Sequence, residues 1–121
     1  MIMLKLNTQS QNDITIVSLE GFIDAFSCQK FEESFGQLME KNNYKLIVDL
    51  SKVDYMSSVG AGIFIAVHCV AAENKGTIIL VNPKPKVREI FELLGMSKML
   101  SFTDNINNAL KLIEQHTPVR S

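Results

Sequence analysis

The spacing of apolar positions changes period several times along the chain, and each change marks an element. Met3 to Leu6 alternates apolar and polar residues as a strand does, and so does Ile14 to Leu19. Asn12-Asp13 supplies turn chemistry between them, which predicts a hairpin. Glu20-Gly21 breaks the alternation, and Asp24 falls on the link to the next element. From Ser27 onward Cys28, Phe31, Phe35, Leu38 and Met39 recur at helical spacing, with Gln29, Lys30, Glu32 and Glu33 on the wet side. Lys41-Asn42-Asn43 closes that helix. Tyr44 to Leu50 then reads as a third strand, and its continuous apolar centre, Leu46-Ile47-Val48, predicts burial on both faces.

After Leu50 a short polar loop leads to Ser57 and Ser58, at the entrance of a long apolar helix predicted over Val59 to Asn74. Gly60 and Gly62 lie in its first turn, and Lys75 with Gly76 should end it. Thr77 to Val81 is a fourth, buried strand, and Pro83 and Pro85 punctuate the loop that follows. Val87, Ile90, Phe91 and Leu94 make a short amphipathic helix stopped by Gly95. Met99 to Phe102 predicts a brief edge strand. Asp104 is placed to cap a last helix carrying Ile106, Ala109, Leu110 and Ile113. Strands alternating with helices predict one α/β domain with a mostly parallel central sheet, over residues 1–116, and a frayed tail over 117–121.

Composition narrows the function classes. The 12 basic and 13 acidic side chains among 121 residues leave a formal charge of -1, without the basic footprint of a nucleic-acid binder. The apolar fraction of 46% excludes a disordered chain. Met1-Ile2-Met3-Leu4-Lys5-Leu6 lacks the pattern of a secretory signal, and the apolar run from Ile63 to Ala72 is too short to span a bilayer. A soluble cytoplasmic protein, bound to neither nucleic acid nor membrane, is expected. Cys28 and Cys69 lack redox or zinc spacing and read as reduced thiols in the core.

Enzyme motifs fail. A nucleophile elbow needs glycine two residues before the serine, where Ser58 has Met56. Gly60-Ala61-Gly62 lacks the third glycine of a dinucleotide fingerprint, and His68 and His116 have no companion at metal-ligand spacing. A hydrolase built on Ser58 and His68 therefore has no elbow and no oriented base. Asp24, Asp49 and Asp54 are read either as turn formers and strand ends or as an acidic patch beside the serines. Ser58 sits where free N–H groups and the positive helix end gather, a place suited to a cap, an anion or an added phosphate.

The chain resembles the STAS family, in its branch of bacterial anti-sigma factor antagonists, at three places. Gly21-Phe22-Ile23-Asp24 is similar to an early Gly-x-Ile/Leu-Asp element. Asp49-Leu50 with Tyr55-Met56-Ser57-Ser58-Val59-Gly60-Ala61-Gly62 is similar to the phosphoacceptor segment, and Val81-Asn82-Pro83 with Val87 to Met96 supplies the third likeness. Ser57 stands where the family usually has aspartate, Val59 where it has serine or threonine, and Ala61 where it has leucine. The resemblance implies a small mixed β-sheet with helices packed largely on one side. It implies a binding switch rather than an enzyme, with no cofactor and no metal. The phosphoacceptor would be Ser58, with Ser57 as the alternative, and the partner surface would comprise Gly21, Asp24, Ser57, Ser58, Val59, Gly60, Ala61 and Gly62. Small groups there would let a kinase approach the backbone. The unmodified form, a monomer when free, would bind an anti-sigma factor that is a serine kinase of the histidine-kinase-like ATPase type, and so release a sigma factor. A PP2C-type phosphatase would reset it. The alternative within the family is a phospho-switch acting on a non-sigma partner in secretion, motility or stress-complex signalling.

Overall fold

The computed structural model describes residues 4–115, so His116 and the predicted tail at 117–121 lie outside it. Strand β1 (Lys5–Gln11) and strand β2 (Ile14–Ile23) form the antiparallel hairpin that the Asn12-Asp13 turn foreshadows. Helix α1 (Cys28–Glu40) leads to β3 (Lys45–Met56), α2 (Ser58–Glu73), β4 (Thr77–Val81), α3 (Pro85–Leu93), β5 (Ser101–Thr103) and α4 (Ile106–Glu114). The strands lie in the order β1-β2-β3-β4-β5, and every pairing after the hairpin is parallel.

The sheet is buried on both faces, unequally. Val17, Leu19, Leu46, Val48, Ile78 and Leu80 face α1, α2 and α3, while Ile14, Ile16, Ile47 and Ile79 face Ala109 and Ile113 of α4. Leu46-Ile47-Val48 is thus divided between the two cores, as its continuous apolar run predicts. On the three-helix face, edge-on and tilted rings join the helices. Phe64 of α2 lies 5.0 Å from Phe31 of α1 and 5.8 Å from Phe91 of α3, which in turn meets Phe102 of β5 at 5.5 Å. Such pairs add about 0.5–1.5 kcal/mol each beyond the area they bury.

The structure corrects several expectations. The polar segment after Leu50 is not a loop, because β3 runs on to Met56. Its pairing with β2 shifts register between Ser18 and Glu20 and again between Gly21 and Phe22, each time placing an extra residue on β3. Each extra residue lengthens the inward spacing from two to three, so Leu50, Val53 and Met56 all reach the same core. The side chain of Asp49 accepts a hydrogen bond from the Ser51 N–H at 2.9 Å within the first irregularity. Strand β2 likewise continues through Glu20-Gly21 to Ile23, with Gly21 at φ +112°, a conformation that suits glycine. At the end of α2 it is Lys75, at φ +64°, that takes the left-handed position expected of Gly76. Gly76 is needed for a close approach instead, since a Cβ there would stand 2.0 Å from the carbonyl oxygen of Tyr44. Asn105 rather than Asp104 caps α4, its side chain accepting from the Asn108 N–H at 2.8 Å. Cys28 is buried as expected, but Cys69 is exposed.

Candidate phosphoacceptor site

The continuation of β3 brings the two serines directly to the carboxyl end of the parallel strands. Only Ser57 separates the strand from α2. Its backbone N–H donates to the Ile23 carbonyl at 2.8 Å, which ties the start of α2 to the end of β2. Its extended backbone (φ -81°, ψ 165°) makes it the N-cap, and its hydroxyl accepts from the Gly60 N–H at 3.2 Å. The same hydroxyl lies 3.8 Å from the Sγ of Cys28, at the first residue of α1. Ser57 is half-buried.

Ser58 is the first helical residue and is exposed. The cap that its position invites is supplied by Ser57, and the Ser58 hydroxyl makes no hydrogen bond among the described residues. The N–H groups of Ser58 and Val59 precede the capped Gly60 N–H and belong to the unpaired donors of a helix start. An exposed hydroxyl therefore stands at a positive helix end, free to take an anionic group.

The remaining predicted residues separate into two kinds. Val59 is 64% exposed, and a Cβ on Gly62 would meet nothing within 4 Å. Gly21, Gly60 and Ala61 are buried. Gly60 and Ala61, expected to be small so that a partner can approach the backbone, face the core, and at Gly60 the small size also serves packing. A Cβ on Gly60 would stand 2.6 Å from Cγ2 of Ile23 and 3.2 Å from Cγ of Met56, so its smallness lets α2 seat on β2 and β3.

Each of the three aspartates has its own neighbour. Asp24 Oδ1 accepts from the N–H groups of Phe26 (3.0 Å) and Ser27 (3.1 Å). Asp49 holds Ser51, and Asp54 pairs with Lys84. No group of three histidine, cysteine, aspartate or glutamate side chains able to hold a metal is found among the described residues. The hydrolase arrangement fails on distance: at about 1.5 Å per residue, His68 lies roughly 15 Å farther along α2 than Ser58. Among the described residues no helix is long and apolar enough to cross a membrane.

Sequence reasoning missed two features here. One is the Cys28 thiol beneath Ser57. The other is Phe26, an aromatic side chain 95% exposed beside the start of α1. Its signal was available: an apolar residue two after Asp24 that falls outside the helical spacing of Cys28, Phe31 and Phe35.

Comparison with known proteins agrees with this fold. The anti-sigma-B factor antagonist of Listeria monocytogenes is 26% identical over 98 residues, covering 77% of this chain and 86% of that protein. The crystal structure of an anti-sigma factor antagonist from Mycobacterium paratuberculosis matches with a TM-score of 0.84 at 23% identity, over 92% of this chain and 94% of that one. The anti-sigma factor antagonist SpoIIAA in its unphosphorylated form matches with a TM-score of 0.79 at 16% identity, over 93% and 99%. SpoIIAA of Bacillus in the phosphorylated form matches at 0.70 and 16%, over 90% and 99%. The STAS domain matches residues 5–109, from the first strand into the last helix, and the chain belongs to the STAS domain family.

Proposed function

We propose that this chain is an anti-sigma factor antagonist switched by phosphorylation of Ser58. In its unmodified form it binds an anti-sigma factor that is also a serine kinase of the histidine-kinase-like ATPase type, and a sigma factor is released. The kinase transfers phosphate from ATP to Ser58 and lets go, and a PP2C-type phosphatase restores the binding form. The chain acts in the cytoplasm, as a monomer when free, and is a binding switch rather than an enzyme. ATP and its metal belong to the kinase.

The observation that carries this reading is the division of labour between the two serines. Ser57 spends its hydroxyl on the cap, while the Ser58 hydroxyl is exposed and free at the same helix end. That ranks Ser58 above Ser57 as acceptor, since modifying Ser57 would break the cap and the packing on Cys28. The names of the relatives support the partner class, and SpoIIAA supplies a protein of this fold in both phosphorylated and unphosphorylated forms.

The test is incubation of the purified protein with ATP and the purified histidine-kinase-like serine kinases of the same genome, followed by peptide mass mapping and binding assays. Phosphate should appear on Ser58. Ser58→Ala should bind the kinase persistently, and Ser58→Asp more weakly. Phosphate on Ser57 alone, or full kinase binding by the Ser58-phosphorylated form, would overturn the proposal.

A further inference from the structure

Phe26 is the most exposed of the large apolar side chains that the structure places at the surface, at 95%. It is not on a loose loop. Asp24 Oδ1 accepts from the N–H groups of Phe26 and Ser27, the Ser27 hydroxyl donates to the Phe22 carbonyl at 2.7 Å, and the Asp24 N–H donates to that hydroxyl at 3.0 Å. The Cys28 N–H closes the turn on the Asp24 carbonyl at 3.0 Å. This turn adjoins the acceptor, because the residue before Asp24, Ile23, accepts from the Ser57 N–H, and the residue after Ser27, Cys28, touches the Ser57 hydroxyl. Val59, 64% exposed, follows Ser58, and Tyr55, 48% exposed, lies at the same end of β3. An ordered turn that holds a phenylalanine in water presents apolar area whose burial against a partner would be favourable. The ring is thus carried by a turn whose two flanking residues, Ile23 and Cys28, both meet Ser57, the residue before Ser58.

We propose that Phe26 is an aromatic anchor by which the anti-sigma kinase docks beside Ser58, and that Asp24 is its positioning residue. This rests on the function proposed above and deepens it. The kinase supplies an apolar pocket for the ring. Asp24 acts through the turn, its carboxylate accepting from the backbone that carries Phe26 rather than from the partner. Phe26 then sets which kinase is accepted, because central aromatic anchors dominate the energetics of protein interfaces.

The experiment uses the full chain and the kinase that phosphorylates Ser58 in the assay above. Calorimetric binding and steady-state phosphoryl transfer are measured for the parent, Phe26→Ala, Phe26→Leu, Asp24→Asn, Asp24→Ala and the double variant Asp24→Ala/Phe26→Ala. Phe26→Ala should weaken binding roughly 10- to 100-fold and raise KM with little change in kcat. Its melting temperature should stay that of the parent, since the ring is in water. Phe26→Leu should recover most of the affinity. Asp24→Asn, which keeps the side-chain oxygen acceptor, should bind within about threefold of the parent, whereas Asp24→Ala should approach Phe26→Ala. The double variant should be little worse than Phe26→Ala alone, as coupled residues are not additive. A Phe26→Ala protein that binds within twofold of the parent overturns the anchor. So does a Phe26→Ala effect seen only on self-association by sedimentation, which would make a second copy the occupant. Asp24→Asn as damaging as Asp24→Ala overturns the positioning role. A parent chain that no kinase phosphorylates on Ser58 overturns the underlying function instead.

Discussion

Adding one methyl group at Gly60 should destabilise the domain, and adding one at Gly62 should stabilise it, although the residues are neighbours in the first turn of α2. Both substitutions improve helix propensity by about 0.8–1 kcal/mol. At Gly62 the new Cβ meets nothing within 4 Å, so the gain should be kept and the melting temperature should rise by a few degrees. At Gly60 it lands 2.6 Å from Cγ2 of Ile23 and 3.2 Å from Cγ of Met56, both fully enclosed by the core. Relieving that contact means sliding α2 or bending packed side chains, at about 1–3 kcal/mol. The net effect of Gly60→Ala should be a loss of roughly 1 kcal/mol, or about 3–5 °C for a domain of this size. Urea denaturation followed by circular dichroism, with calorimetry, measures both. An Ile23→Ala background removes the offending methyl, so Gly60→Ala should become less costly there than in the parent. A Gly60→Ala protein as stable as the parent, or a penalty unchanged by Ile23→Ala, would refute the packing argument.

Ser57→Ala removes the N-cap and should cost about 1 kcal/mol in urea denaturation, whereas Ser57→Asp keeps an acceptor for the Gly60 N–H and should stay near the parent; equal stability of all three would refute the cap. The hydrogen bond that the Lys45 ammonium donates to Asp13 at 2.8 Å holds the Asp13 carboxyl below its ordinary value of 3.8. Because the folded value is the lower one, the stability it contributes is complete above the unfolded value and is lost as pH falls below about 4. Lys45→Met should return the Asp13 midpoint, followed by carboxyl NMR, to the ordinary carboxylate range, and an unmoved midpoint would count against the pairing.

The alternation of strands and helices and the two-faced burial of Leu46-Ile47-Val48 were legible because regular elements keep a fixed period. The second half of β3 was not. Two inserted residues turn a period of two into a spacing of three at Leu50, Val53 and Met56, which imitates neither a strand nor a complete helix turn. Caps failed for a related reason. Ser57 and Ser58 are both good cap residues, as are Asp104 and Asn105, and which one caps depends on where the preceding strand stops. Gly76 shows the same limit: a glycine after a helix suggests a left-handed backbone, but here the Tyr44 carbonyl, distant in sequence, requires it. The family motif covers this whole segment of chain, yet only the fold separates Ser58 and Val59, which face solvent, from Gly60 and Ala61, which face the core.

That separation explains how a phosphate on Ser58 would act without unfolding its carrier. Beneath Ser58 the start of α2 is fixed by the Ser57 cap, by the bond from Ser57 to Ile23 and by the tight seat of Gly60. A group added to the exposed hydroxyl displaces none of these. Its charge of about -1.5 to -2 meets a helix N-terminus that stabilises an exposed anion by roughly 0.3–1 kcal/mol, so the fold is left nearly neutral to the change. Across an interface the balance differs. Water is excluded, and a like charge about 4 Å away in a medium of effective dielectric near 20 costs about 4 kcal/mol per unit charge. A loss of that size weakens binding about a thousandfold. Such a phosphate would therefore be tolerated by the domain and rejected by a close partner, because Ser58 lies on the surface while Ser57 before it and Gly60 after it do the structural work.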